Sequence, residues 1–242
     1  MFTMFQFLSN LQDYSVPEPI AVYPLNDQYG TKEKDCRQPP GILGNGVSLA
    51  QGPFGKGNGS YQFHGTEDSY IEFPNNAGGL DAQHSITMIC WVYISEPSTS
   101  GPLFIYYNKP NEETWFGMAI ANAKLAAYFG SNVLSLTQKN QLTSNHWHYV
   151  GVTYDHGEKE ARLWVNGKIV ETRSFSTGFR GYKAVRMGAV SLMINREKKT
   201  FKFKGRISAL HVYNVSLTKQ QIEDVKNVSG RGKSISFKKN VF

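Results

Sequence analysis

The residue types able to do chemistry in this chain are carboxylates, histidines and, above all, a run of cations. Glycoside hydrolysis takes two carboxyl groups about 5 to 10 Å apart, one to protonate the leaving group and one to act as nucleophile or base. Here the acids cluster as Glu67-Asp68 and as Glu158 and Glu160. Both clusters lie in turns next to strand-like runs, where solvated loop charges are the ordinary outcome. Calcium asks for two or more carboxylates together with carbonyl oxygens. Asp27 and Asp68 are the candidate ligands, although Asp also favours such turns for its own backbone hydrogen bonds. His146 and His148, two residues apart, share one side of a strand and have zinc-ligand chemistry, but no third ligand stands near them in the sequence. Trp115, beyond the polar loop KPNEET, is a candidate platform for stacking a sugar ring, with burial as the competing reading.

The cations are more pointed. The formal net charge is +7, and more than all of it comes from one segment. Arg173, Arg180, Lys183, Arg186, Arg196, Lys198, Lys199, Lys202, Lys204 and Arg206 are opposed there only by Glu197. In KKTFKFKGR, strand alternation puts Phe201 and Phe203 on one face and Lys202 and Lys204 on the other. Such a ladder suits a polyanion, for example a sulfated glycan. It equally suits an edge strand whose lysines block sheet-to-sheet aggregation. The candidate glycan surface is therefore Arg180, Lys183, Arg186, Arg196, Lys198, Lys199, Lys202, Lys204 and Arg206.

The elements that must carry these residues read as strands. Aromatics make up 13% of the 242 residues, with 23 Gly and 10 Pro against 19% charged, a balance that favours many short strands and tight turns. The clearest hairpin is ARLWVNGKIV, with Asn166-Gly167 as a type I′ turn. NHWHYVGVTYD precedes it and completes a three-strand meander. Ser85 to Ile94 is apolar on both alternating sets, which predicts a central strand covered on both faces. Further runs fall at 21–25, 46–49, 60–63, 70–73, 103–107, 116–120, 125–129, 133–136, 184–187 and 205–213. Leu217 to Val225 reads as a short helix with Thr218 at its N-cap and Gln221 closing a capping box. The pattern predicts an all-β, antiparallel two-sheet sandwich of the jelly-roll type with a short C-terminal helix. It divides into an N-terminal extension (1–19), one domain (20–227) and a basic polar tail (228–242).

No stretch has the roughly 18 consecutive apolar residues that a membrane-crossing helix needs. Cys36 and Cys90 allow one intrachain disulfide, and their positions leave its formation open. Asn58, Asn214 and Asn227 head glycosylation sequons, which matter only outside the cytosol. The opening MFTMFQFLSNLQD lacks the positive n-region and small-residue cleavage site of a signal peptide. An extracellular placement would therefore make this chain a mature form or a fragment.

Four ordered blocks resemble the laminin G-like branch of the concanavalin A-like lectin and glucanase superfamily. The first carries Gly55, Lys56, Phe63, Gly65, Asp68, Tyr70 and Ile71; the second is HSITMICWVYI with Trp91. The third runs through Trp147, His148, Val150, Val152, Tyr154 and Asp155 to Val165, Asn166, Gly167 and Lys168. The last includes Gly205, Ile207, Val212, Tyr213, Asn214, Leu217, Thr218 and Ile222. The resemblance implies two curved sheets, with the strand near Val22 paired to the last strand near Val212. It implies Ca²⁺ at the rim of some relatives, though Ser208 stands where the last-strand motif often has Asp. It further implies a non-catalytic extracellular adhesion or recognition module whose partner is a matrix protein or an acidic glycan, with nucleic acid well behind. A structural component of a secreted matrix is the alternative, and a glycoside hydrolase follows behind both.

Overall fold

The computed structural model describes residues 16–55, 57–107, 115–129, 134–174, 184–194 and 196–229, with the backbone alone at 115, 134–136, 184 and 194. Along the chain come β1 (Ala21–Tyr23), β2 (Ile42–Leu43), β3 (Val47–Ala50), β4 (Ser60–His64), β5 (Ile71–Pro74), β6 (Ile86–Ile94), β7 (Gly101–Tyr107), β8 (Trp115–Ala121) and β9 (Lys124–Phe129). Then follow β10 (Leu134–Thr137), β11 (His146–Asp155), β12 (Glu160–Val165), β13 (Lys168–Ser174), β14 (Ala184–Met187), β15 (Ala189–Ile194), β16 (Glu197–Lys202), β17 (Lys204–Tyr213) and α1 (Lys219–Val228). The strands form two antiparallel sheets and a separate hairpin. The first sheet runs β13-β12-β11-β6-β17-β4-β3, with β1 also on β17; the second runs β10-β9-β8-β7-β14-β5-β2; β15 and β16 pair only with each other. The expected sandwich with its terminal helix is what forms, and Ala21 and Val22 pair with Val212 and His211.

Between the sheets, β6 contributes Ile86, Met88, Cys90, Val92 and Ile94, and β11 contributes Val150, Val152 and Tyr154. They meet Phe73, Phe104, Tyr106, Phe116, Met118, Phe129 and Val185 of the second sheet. The other alternating set of the first sheet, Ile89, Tyr149, Trp164 and Tyr213, packs under Leu217, Ile222 and Val225 of the helical segment. Burying each of those three aliphatic side chains contributes about 1.5–3 kcal/mol. β6 thus lies mid-sheet with both faces used. The Asn166-Gly167 turn has φ of 53° and 83°, the two positive values of a type I′ turn. A Cβ on Gly167 would collide with Glu223 of α1, so this hairpin tip is docked against the helix. The capping box also forms, with the Gln221 amide donating to Thr218 Oγ1 and the Thr218 amide donating to Gln221 Oε1 at 2.9 Å.

Several features depart from the sequence expectation. KKTFKFKGR is not one strand: the chain leaves the hairpin at Lys202 and enters the first sheet at Lys204, turning over at Phe203. Phe203 drops into the core while Phe201 stays 38% exposed, so the two phenylalanines do not share a face. Inside β17 the register shifts between Ser208 and His211, and Ala209 takes a φ of 50°. One extra residue in a strand reverses every later side chain. Ile207 and Val212 therefore both face the core, while Tyr213 turns outward under α1 and His211 lies beside it, ring centroids 6.4 Å apart. Trp164 is buried, whereas Trp91 and Trp147 are only half-buried on the outer face of the first sheet. β2 and β15 have no counterpart among the expected strands.

Candidate binding surface

The basic segment is divided among separate parts of the fold. The first part is the β15–β16 hairpin. Its base is fixed where the Gly188 amide donates to the Pro102 carbonyl at 3.2 Å and the Phe203 amide to the Gly188 carbonyl at 2.9 Å. Gly188 has a φ of 90° and no room for a Cβ against the Phe63 ring and the Ser69 carbonyl, so only glycine fits there. Val190 and Leu192 pack on Ile105 and Tyr107 of β7, which lays the hairpin over the outer face of the second sheet. Cross-strand register then puts Met193 beside Lys198, Ser191 beside Thr200 and Ala189 beside Lys202. Lys198, Thr200 and Lys202 share the opposite face of the hairpin, and both lysines are exposed. Ser191 and Thr200 hydroxyls bond to each other at 2.9 Å. Lys199 lies on the other face, 3.7 Å from Glu197, and Arg196 is exposed in the turn with a φ of 67°.

The remaining cations are placed elsewhere. Arg186 lies on the outer face of β14, its guanidinium 2.6 Å from Glu72 and 4.0 Å from the Tyr70 ring centroid. That pairing neutralises it. Lys204 is on the first sheet, 3.2 Å from Glu96. Arg206 is also on the first sheet, over the Tyr93 ring at 4.9 Å. Arg180 and Lys183 lie outside the described residues. The structure thus keeps Arg196, Lys198, Lys199 and Lys202 on one hairpin, with Lys198 and Lys202 sharing a face, and places Arg186, Lys204 and Arg206 elsewhere.

The other candidate residues serve local structure. Thr66 Oγ1 donates to Asp68 Oδ1 within its own turn, and Asp27 is exposed after β1, where its amide donates to the Asn58 carbonyl. Among the described residues no group of three or more His, Cys, Asp and Glu side chains is placed to hold a metal ion. His146 and His148 turn back to the carbonyls of Ser144 and Thr143. Trp115 opens β8, and its side chain lies outside the described residues. The Cys36–Cys90 disulfide does not form: Cys36 is exposed in the loop after β1, while Cys90 is sealed into the core on β6, and both thiols are free. Burial raises the Cys90 thiol far above the range in which it would ionise, which makes it a hydrophobe and no nucleophile. Asn58, Asn214 and Asn227 are all exposed.

Several carboxylates are held in pairs and caps. Glu160 is bound by Arg162 and Glu72 by Arg186. Glu33, buried, accepts from the amides of Val22, Asp35 and Arg37 at 2.9–3.0 Å. Nothing in the sequence marked Glu33, because its partners are backbone amides, one from β1 and two from the loop that follows it. One grouping that sequence reasoning did not assemble is Trp147, Tyr93 and Arg206, which register pairing sets side by side on β11, β6 and β17. The signal was the second alternating set of β6, which ends in Trp91 and Tyr93.

Residues 64–223 match a laminin G family model described as the concanavalin A-like lectin/glucanases superfamily. The chain belongs to that superfamily. No curated protein sequence matches it. Among solved structures it is similar to domain 4 of AbnA, a GH43 extracellular arabinanase from Geobacillus stearothermophilus in complex with arabinotriose, at 21% identity, 86% of this chain, 98% of that chain and a TM-score of 0.64. It is similar to the CBM40 of the Ruminococcus gnavus IT-sialidase bound to alpha2,3 sialyllactose, at 19% identity, 68% and 97% coverage and a TM-score of 0.55. The binding domain of botulinum neurotoxin serotype G shares 11% identity over 87% of this chain, with a TM-score of 0.65, and this chain spans 51% of that one. Identities this low show the fold. No helix among the described residues is long and apolar enough to cross a membrane.

Proposed function

We propose that this chain is a non-catalytic recognition module acting outside the cell, with an acidic or sulfated glycan as ligand and the β15–β16 hairpin as the contact surface. The observation that carries the reading is the row Lys198, Thr200, Lys202 on the solvent face of β16. Among the described residues no carboxylate forms an ion pair with Lys198 or Lys202, while Lys199, Lys204 and Arg186 each have one. Four residues of strand set the backbone positions of the two lysines about 13 Å apart along β16, with a hydroxyl pair between them. That is a linear array of donors for successive anionic groups on an extended chain.

The sugar-bearing relatives support a binding role: the AbnA domain holds arabinotriose and the CBM40 holds sialyllactose. Exposure of all three sequon asparagines supports the extracellular placement, and the engagement of Glu72, Glu160 and Glu33 in pairs and caps supports a binding over a hydrolytic role. The test is salt-gradient elution from immobilised heparin, with an unsulfated polysaccharide as control. The wild-type chain should be retained on the sulfated matrix alone, and Lys198→Glu/Lys202→Glu should weaken its affinity about tenfold or more, each tenfold being 1.4 kcal/mol. Retention that the double reversal leaves unchanged overturns the reading.

A further inference from the structure

The outer face of the first sheet has a half that α1 does not cover. Register places Trp147 beside Tyr93, Tyr93 beside Arg206, Arg206 beside Gln62 and Gln62 beside Ser48, one transverse row over five strands. At about 4.8 Å per strand the row is roughly 19 Å long, the length of a few sugar rings. Trp147, Tyr93, Arg206 and Gln62 are half-buried and Ser48 is exposed. Tyr93 and Trp147 hold their rings 5.6 Å apart at 56°. They form a tilted apolar floor whose hydroxyl end is fixed by donation from Tyr93 to Asn145 Oδ1 at 3.2 Å.

Arg206 supplies the charge. Its Nε donates to Gln62 Oε1 at 3.2 Å, and Gln62 is itself held by donating Nε2 to the Phe63 and Gly205 carbonyls at 2.9 and 3.0 Å. Arg206 Nη1 also donates to the Gln51 carbonyl at 3.5 Å, so the guanidinium is held at Nε and Nη1 and braced by the Tyr93 ring. Unlike Lys204 beside it and Arg186 on the other sheet, it has no carboxylate partner among the described residues. The hydrogens left on Nη1 and Nη2 match a planar carboxylate with two parallel hydrogen bonds. An aromatic floor beside an unpaired guanidinium fits a ring with one apolar face and one carboxylate substituent.

We infer that this row is a second ligand site, for a saccharide residue bearing a carboxylate: its C–H face lies on Trp147 and its carboxylate on Arg206, which Tyr93 braces. The site is separate from the lysine hairpin and recognises by stacking and bidentate pairing, so it stands or falls independently of the hairpin reading.

The test is an NMR titration of the full chain, following the Trp147 indole N–H, with the methyl glycosides of glucuronic acid and glucose as probes. The glucuronide should shift the indole resonance saturably and the glucoside should bind about tenfold or more weaker, the cost of leaving the guanidinium unpaired. Arg206→Gln should erase that preference, and Arg206→Lys should restore part of it. Trp147→Ala, followed at the Arg206 Nε–H in place of the lost indole, should remove binding of both sugars with the fold retained by circular dichroism. Lys198→Glu/Lys202→Glu should leave the titration unchanged. The inference is overturned if neither sugar shifts the indole, if the acid preference survives Arg206→Gln, or if the row responds to self-association of the chain and to no sugar.

Discussion

The outer face of the first sheet is one surface with two fates. At one end Ile89, Tyr149, Trp164 and Tyr213 lie under α1 and are fully buried. At the other end Trp147, Tyr93 and Arg206, on the same strands and pointing the same way, remain half-open. Both ends are rich in aromatics, so composition does not distinguish them. What does is the helix, and Trp91 marks the border: its indole donates to Ser229 Oγ at the helix C-terminus at 3.0 Å, its ring meets Tyr149 on the covered side, and on the other it meets exposed Phe54. An aromatic row left uncovered beside one that is covered is surface available for a ligand.

The comparison predicts unequal costs for equal truncations. Trp164→Ala on the covered side removes an indole that is 1% exposed and donates to Thr153 Oγ1 at 3.0 Å. It should cost about 3–5 kcal/mol in urea unfolding. Trp147→Ala on the open side should cost about 1 kcal/mol, mainly its contact with Tyr93. Equal costs would mean that the open row is as much a part of the packing as the covered one.

Acid should act on the covered half next most strongly. His211 lies buried on the outer face of β17, its Nδ1 without a hydrogen-bond partner among the described residues. Desolvation, helped by the nearby charge of Lys34, lowers its pKa to about 4. At pH 7 the ring is neutral folded or unfolded and contributes no pH dependence. As the pH falls below about 6.5 the unfolded chain takes up a proton that the folded chain refuses until about 4. Stability should drop through that window by up to about 3 kcal/mol, read as denaturation midpoints at pH 7 and pH 4, and His211→Phe should flatten the slope. An unchanged slope in the variant would place the acid sensitivity elsewhere. Smaller again is Thr218→Ala, which removes the capping box of α1 and should cost about 1 kcal/mol by thermal melting.

Much of this was readable in advance where the local pattern and the tertiary environment agree. The double apolar alternation of β6, the Asn166-Gly167 turn and the Thr218 cap each state their structure within a few residues. What escaped were two reversals that turn on a single residue. Phe203 looks like the next step of an alternating strand, yet it is where the chain passes from hairpin to sheet, and the Ser208–His211 bulge turns His211 outward with nothing in SALHVY to announce it. The basic segment misled for the same reason. A ladder of lysines assumes a continuous strand, and the break separates Lys202 from Lys204. The open row was hidden because its members come from strands far apart in sequence, and only register sets Trp147, Tyr93 and Arg206 side by side.

The smallest stability effect belongs to the lysine hairpin, and its smallness is the point. Lys198 and Lys202 are exposed, form no ion pair among the described residues and share a basic hairpin with Arg196 and Lys199. Surface substitutions of this kind fall within about ±0.5 kcal/mol. Lys198→Glu/Lys202→Glu should therefore leave the melting temperature unchanged or slightly raised, since two carboxylates would relieve the mutual repulsion of the cluster. A loss well beyond that range would show that the lysine stems hold β16 against its neighbours. Weaker retention on heparin could then come from a disordered hairpin and would no longer identify a binding surface. Only an unperturbed melt together with lost retention separates a surface kept for a ligand from one kept for the fold.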